Sequence, residues 1–129
     1  MVAIDASVLV RLLTADHAAQ FRAARALFSR SDIYIPVTVV LEAEWVLRAA
    51  YELPPPAVCS ALRSVMGLDN VRVAESTAVV QALVWHEEGV DFADALHLAL
   101  SQSEDSFKTF DASLVKQAQG RSPVRVEKP

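Results

Sequence analysis

The sequence predicts an α/β domain of three layers, with helices covering both faces of a short-stranded, mainly parallel central sheet. Short runs of three or four apolar residues alternate along the chain with segments that carry apolar residues at helical spacing. The chain has 129 residues, a common length for one domain, and 53% of them are hydrophobic. We therefore predict one domain over residues 1–129, with right-handed crossovers between its strands.

The first half of the chain predicts three strands and four helices. Asp16 is expected to cap the second helix, and Pro36 suits the first turn of the third. The β-branched start of that third helix is also compatible with a strand, but burial on several faces favours a helix. Three prolines at 54–56 break the chain and open the fourth helix. The strands are expected at 2–4, 33–35 and 70–73, and the helices at 8–13, 17–31, 37–51 and 55–66.

The second half predicts three helices and two strands. A helix over 76–88 is expected to end at Gly89, which suits the left-handed conformation of a C-terminal cap. A second helix over 91–103 precedes a strand at 107–110. A helix over 111–119 and an edge strand at 124–126 complete the predicted domain.

Composition and charge exclude several classes of protein. The longest run without an acidic or basic residue covers only residues 76–86, well short of the roughly 20 apolar residues of a membrane span. The start lacks the pattern of a signal peptide, so a cytoplasmic protein is expected. Cys59 is the only cysteine, which excludes an internal disulfide and a multi-cysteine metal site. The net charge of −4 gives no overall basic field for nucleic acid.

Carboxylates follow two of the predicted strands, at the sheet edge where ligands of parallel α/β domains gather. Asp5 comes after the first strand and Asp111 after the fourth, while Asp94 lies in the first turn of the helix opened by Asp91. Each of these residues also has a structural interpretation. Asp5 and Asp111 fit helix caps, and Asp91 with Asp94 resembles a capping box. The pattern alone leaves both interpretations open.

Glu42 lies among apolar residues of the third helix, where an unpaired carboxylate would be costly. We expect it to need a partner, whereas Glu44, about 200° around the helix, is expected to be solvated or ion-paired. If Asp5, Glu42, Asp94 and Asp111 converge, their repulsion requires either protonation or a cation. Oxygen ligands without a His or Cys cluster favour Mg²⁺ or Mn²⁺, and such a site can cleave phosphodiesters.

Four segments together resemble the PIN-domain family, and more narrowly the VapC-type toxins of toxin–antitoxin pairs. They are Ile4-Asp-Ala-Ser7, Leu41-Glu42 followed by Trp45, Asp91-Phe-Ala-Asp-Ala-Leu96, and Thr109-Phe-Asp111. The resemblance runs from Val2 to about Val126. No segment is specific by itself, but their order and spacing are.

The resemblance implies a metal-dependent endoribonuclease that acts as the toxin of a type II pair. It places the metal ligands at Asp5, Glu42, Asp94 and Asp111, with Asp5 and Asp94 holding the main ion. Ser7 and Thr109 match hydroxyls that support the site, and Asp91 is an auxiliary ligand or a cap. The further Asp that some relatives carry is replaced here by Ala112 and Ser113.

The implied partners are RNA, a VapB-like antitoxin and a second copy of the chain. Arg11, on the helix after Asp5, is our preferred RNA phosphate contact. The helix that holds Trp85 is expected to contribute to a homodimer.

The residues also bear on functions other than that of a metal-dependent nuclease. A phosphatase of the haloacid dehalogenase type needs an acidic residue at the position of Ser7, which excludes its signature. A catalytically silent PIN-like module that binds RNA or a partner stays open as the alternative.

Overall fold

A computed structural model describes residues 1–129, which form two compact units over residues 1–76 and 77–129. Seven helices alternate with five short strands, so the predicted α/β class is confirmed. No helix exceeds 13 residues, and none has the length and apolarity needed to cross a bilayer. The prediction of a single domain over residues 1–129 stays a prediction.

The first unit is built on a three-stranded parallel sheet. In chain order its elements are β1 (Val2–Ala3), α1 (Ala6–Thr14), α2 (Ala18–Arg30), β2 (Ile33–Ile35), α3 (Val37–Ala49), α4 (Pro55–Met66) and β3 (Val71–Val73). The strand order is β1-β2-β3, with Val2 opposite Ile33 and Tyr34 opposite Arg72. All strands run in one direction, so their carboxyl ends lie at one edge.

The core of this unit comes from the apolar residues that the sequence pattern selects. Ile33 and Ile35 of β2 are buried, as are Leu9 of α1 and Leu47 of α3. Helix α1 packs against both α2 and α3. The side chain of Asn70 donates to the carbonyls of Phe28 and Ser31, which ties the start of β3 to the end of α2.

The second unit contains a two-stranded parallel sheet and three helices. Its elements are α5 (Ser76–Glu87, which begins at the boundary), α6 (Phe92–Ala99), β4 (Ser106–Lys108), α7 (Ala112–Ala118) and β5 (Arg125–Glu127). Ser106 pairs with Arg125 and Lys108 with Glu127. Gly89 has a φ of 107°, as its predicted role at the end of α5 requires.

Two predictions about helix ends were wrong. The cap of α2 is His17, whose Nδ1 accepts from Gln20 N, because Asp16 is bound instead by side chains from α1 and from the segment after α3. Helix α6 ends at Ala99 rather than near residue 103, and turns follow it up to β4. Residues 37–40, whose pattern was ambiguous, are helical.

Candidate metal centre

Asp5 follows β1 directly and caps α1. Its Oδ1 accepts three hydrogen bonds, from Ser7 Oγ at 2.6 Å, Ser7 N at 3.0 Å and Val8 N at 3.3 Å. The Ser7 hydroxyl is the largest cause that lowers the pKa of Asp5 below its usual value. Oδ2 of this exposed side chain makes no hydrogen bond. Asp5 is therefore both a helix cap and a carboxylate with one oxygen open to a further ligand.

Glu42 projects from the surface of α3 and makes no hydrogen bond. The expectation that burial among apolar residues forces it to find a partner was wrong. Glu44 is the buried carboxylate of this helix, 1% exposed, and Arg48 Nε donates to it at 2.8 Å. Of the two environments expected for Glu44, an ion pair or solvent, the structure shows the ion pair. Glu42 instead lines an open cleft of about 520 Å³ together with Ser7 and Arg11.

In the second unit, Asp91 and Asp94 occupy the first turn of α6. Asp91 caps the helix through Oδ2, which accepts from Asp94 N at 3.1 Å. The half-buried Asp94 side chain accepts no hydrogen bond. Burial, and then the negative charges of Asp91 and Asp111, raise the pKa of Asp94, with His97 acting in the opposite direction. Asp94 and Asp111 are therefore close enough to repel each other.

Asp111 repeats the arrangement of Asp5 at the start of α7. Its Oδ1 accepts from Ser113 N at 2.9 Å and from Leu114 N at 3.2 Å, and Oδ2 makes no hydrogen bond. Its own backbone N–H donates to Thr109 Oγ1 at 3.0 Å. Thr109 thus holds the backbone of Asp111, and Ser7 holds the side chain of Asp5.

The four proposed ligands fit a hard divalent cation by their chemistry. Each has at least one carboxylate oxygen that no protein donor uses, and oxygen ligands of this kind suit Mg²⁺ and Mn²⁺. Burial, and then the repulsion from Asp91 and Asp111, raise the pKa of Asp94, and a bound cation would offset that repulsion. Neither unit by itself holds three or more His, Cys, Asp or Glu side chains grouped for a metal ion.

A sequence model of the PIN domain matches residues 2–119, most of the chain. The chain belongs to the PIN-domain family. No curated protein and no solved structure matches it. The match agrees with the seven helices and short parallel strands, so the predicted α/β/α PIN fold is confirmed. PIN domains are typically nucleases that use divalent metals and bind RNA, which agrees with the carboxylate chemistry above.

Sequence reasoning missed the environment of Arg11. Its guanidinium donates to Gln20, Asp16 and Tyr51, three residues to which no functional role was given. Tyr51 lies 40 residues along the chain from Arg11, and no spacing rule connects the two. The sequence marked Asp16 only as a helix cap, and it gave no sign of the contacts to Arg11 and Tyr51.

Proposed function

We propose that this PIN domain is a Mg²⁺- or Mn²⁺-dependent endoribonuclease that acts as the toxin of a VapC-type toxin–antitoxin pair. The observation that carries the proposal is the free carboxylate oxygen on each of Asp5, Glu42, Asp94 and Asp111. The family and the order of the four segments support it. The toxin role, the VapB-like antitoxin and the homodimer rest on the resemblance to VapC-type toxins.

The four carboxylates have different roles in the proposed site. Asp5 and Asp94 would hold the main ion, and Glu42 and Asp111 would complete the site. A bound divalent ion supplies an activated water and neutralises charge at the scissile phosphate. Ser7 orients the Asp5 carboxylate through its 2.6 Å hydrogen bond to Oδ1 and leaves Oδ2, which would be the oxygen that binds the ion. Thr109 holds the backbone at Asp111, and Asp91 sets the first turn that carries Asp94.

The test is digestion of total RNA by the purified protein with Mg²⁺, with Mn²⁺ and with EDTA. We expect cleavage that EDTA abolishes. Asp5→Asn is expected to lower the rate at least about 100-fold, because loss of groups that merely support metal ligands already costs 10- to 100-fold. Asp69→Asn, which changes an exposed aspartate outside the site, is the matched control.

Three results would contradict the proposal. Cleavage that persists in EDTA would exclude the metal, and cleavage that survives Asp5→Asn would exclude this site. A protein that binds RNA but never cuts it would support the catalytically silent alternative. Sequencing of the RNA fragments from wild type and Asp5→Asn then identifies the target.

A further inference from the structure

The side chain of Arg11 is held from three sides within the first unit. Its Nε donates to Gln20 Oε1 at 2.7 Å, and its Nη1 donates to Tyr51 Oη at 2.8 Å and to Asp16 Oδ1 at 3.2 Å. An arginine has five N–H donors. Three are used here, and the two on Nη2 make no hydrogen bond. Nε and Nη1 of the guanidinium are thus occupied, and the two N–H groups of Nη2 are open to a further acceptor.

Tyr51 and Asp16 are hydrogen-bonded to each other as well as to Arg11. The Tyr51 hydroxyl donates to Asp16 Oδ2 at 2.6 Å while it accepts from Arg11, so one hydroxyl joins the cation to the anion. Thr14 Oγ1 adds a bond to Asp16 at 2.9 Å. Tyr51, then Thr14 and then Arg11 lower the pKa of Asp16 below its usual value. The carboxylate therefore stays ionised, and keeps its contact with Arg11, at a lower pH than an ordinary aspartate would.

Arg11 lies on a face of α1 that lines two clefts. Ser7 and Arg11 are four residues apart on α1, so both side chains project from one face of the helix. Both residues line the α1–α2 cleft of about 530 Å³, which is also lined by Gln20 and Arg30. Both also line the α1–α3 cleft of about 520 Å³, which is also lined by Glu42 and Tyr51. The guanidinium thus belongs to both clefts, and it shares the α1–α3 cleft with the proposed ligand Glu42.

The exposure of the Arg11–Asp16 pair argues against a purely structural role for it. The Arg11–Asp16 pair is one-third and nearly one-half exposed, and pairs of this exposure contribute little to stability. A guanidinium fixed in advance loses less freedom when it binds phosphate, and hydrogen bonds from its charged Nη2 to phosphate oxygens are strong.

We propose that Tyr51 and Asp16 are positioning residues that hold Arg11 so that Nη2 binds a phosphate of a single RNA strand beside the metal centre. The proposal rests on the ribonuclease function proposed above and adds the subsite that orients the strand. Tyr51 and Asp16 do not touch the RNA in this arrangement and act through Arg11.

The test is binding of a fluorescent single-stranded oligouridylate in EDTA, which prevents cleavage, over a series of NaCl concentrations. We expect Arg11→Gln to weaken binding about tenfold or more, the effect of a lost charge-assisted hydrogen bond. The slope of log K against log salt should fall by about 0.7, the value for one phosphate of a single strand. Arg25→Gln, which changes an exposed arginine of α2, should alter neither quantity.

Tyr51→Phe separates positioning from folding, because it removes one hydroxyl and keeps the ring. We expect binding to weaken about two- to tenfold and the pKa of Asp16, followed by NMR, to rise. In the Arg11→Gln background the same change should have no further effect on binding, since the residues act through Arg11.

Several results would overturn the inference. They are absence of RNA binding by the wild type, an unchanged salt slope in Arg11→Gln, and equal losses from Tyr51→Phe with and without Arg11. A wild type that binds RNA with an Arg11-dependent slope but does not cut it with Mg²⁺ or Mn²⁺ would contradict only the proposed catalysis. Should Arg11→Gln fail to fold, Arg11→Lys replaces it. The charge is kept, so the salt slope should stay unchanged, but binding should weaken because the three donors of an ammonium cannot serve Gln20, Tyr51, Asp16 and a phosphate at once. Wild-type affinity in Arg11→Lys would overturn the inference.

Discussion

At the scale of single residues, the cap uses one oxygen of a carboxylate and leaves the other for the proposed metal ion. Asp5 and Asp111 both accept backbone N–H groups through Oδ1 and leave Oδ2 without a hydrogen bond. The two interpretations that the sequence left open are therefore compatible. The caps could be predicted because they depend on neighbours two or three residues away. The binding of Asp16 could not, because Tyr51 lies 35 residues away along the chain.

Two substitutions at Asp5 separate its two roles. Asn caps helices about as well as Asp, so Asp5→Asn should change the free energy of unfolding by no more than about 0.5 kcal/mol while activity falls at least about 100-fold. Asp5→Ala should lose activity equally and also cost about 1 kcal/mol, the value of the cap. Urea unfolding and RNA cleavage measure the two effects. Equal unfolding midpoints for Asn and Ala would contradict the capping role.

Ionised Asp94 should be required for metal binding, but it should destabilise the folded protein when no metal is bound. Burial and the charges of Asp91 and Asp111 raise its pKa, so the ionised form is less stable in the folded state than in the unfolded one. The contribution of Asp94 to stability is therefore greatest at low pH and is lost as the pH rises through its titration. Asn does not ionise, so a variant with Asn at this position does not lose stability in this way.

We accordingly expect Asp94→Asn to raise the Tm of the protein in EDTA at neutral pH, and to abolish cleavage. The gain in Tm should shrink as the pH falls, because wild-type Asp94 is then protonated as well. Asp105→Asn, at an exposed aspartate of the same unit, is the control and should leave the Tm unchanged. A Tm below that of the wild type at neutral pH would show that the charge of Asp94 stabilises the fold.

At the scale of elements, α3 carries two glutamates with opposite environments. Sequence spacing correctly placed Glu42 and Glu44 on different faces, but it could not tell which face is buried. That choice depends on the elements packed against α3, and the apolar neighbours in sequence lie all around the helix. The structure exposes Glu42 and buries Glu44 beside Arg48.

The pair Glu42→Gln and Glu44→Gln tests this division. Glu42→Gln should leave the free energy of unfolding within about 0.5 kcal/mol of wild type and lower activity about 100-fold. Glu44→Gln should cost about 1 to 3 kcal/mol, because a buried charged hydrogen bond to Arg48 is weakened. The folded fraction of the second variant should keep the wild-type cleavage rate. A reversed pattern would assign the metal ligand to Glu44.

Helix α5 is the element on which the proposed homodimer depends. Trp85 is itself buried at 5% exposure, so self-association through this helix would use Val80 and Val84, which are 49% and 38% exposed. We expect light scattering at tens of micromolar to give a dimer mass for the wild type. Val84→Lys should lower that mass, and Ala26→Lys on α2 should not. A monomeric wild type would contradict this prediction.

At the scale of the whole molecule, the acidity of the chain is consistent with a nucleic-acid substrate once the site is considered. The four proposed ligands equal in number the excess of 16 acidic over 12 basic residues. A bound divalent ion would offset much of this charge and leave a balanced surface for RNA. The family match covers residues 2–119 and so includes all four ligands. The alternation of strands and helices could be predicted, because it depends on local periodicity.

The most direct test of the metal centre is a Mn²⁺ titration followed by electron paramagnetic resonance. Wild type is expected to bind Mn²⁺, and Mg²⁺ should displace it. Asp5→Asn and Asp94→Asn should each weaken Mn²⁺ binding at least about tenfold, because each removes a charge from a proposed ligand, whereas Asp69→Asn should bind like wild type. Mn²⁺ binding that is absent from the wild type, or unchanged in both ligand variants, would contradict the assignment of these carboxylates to one metal centre.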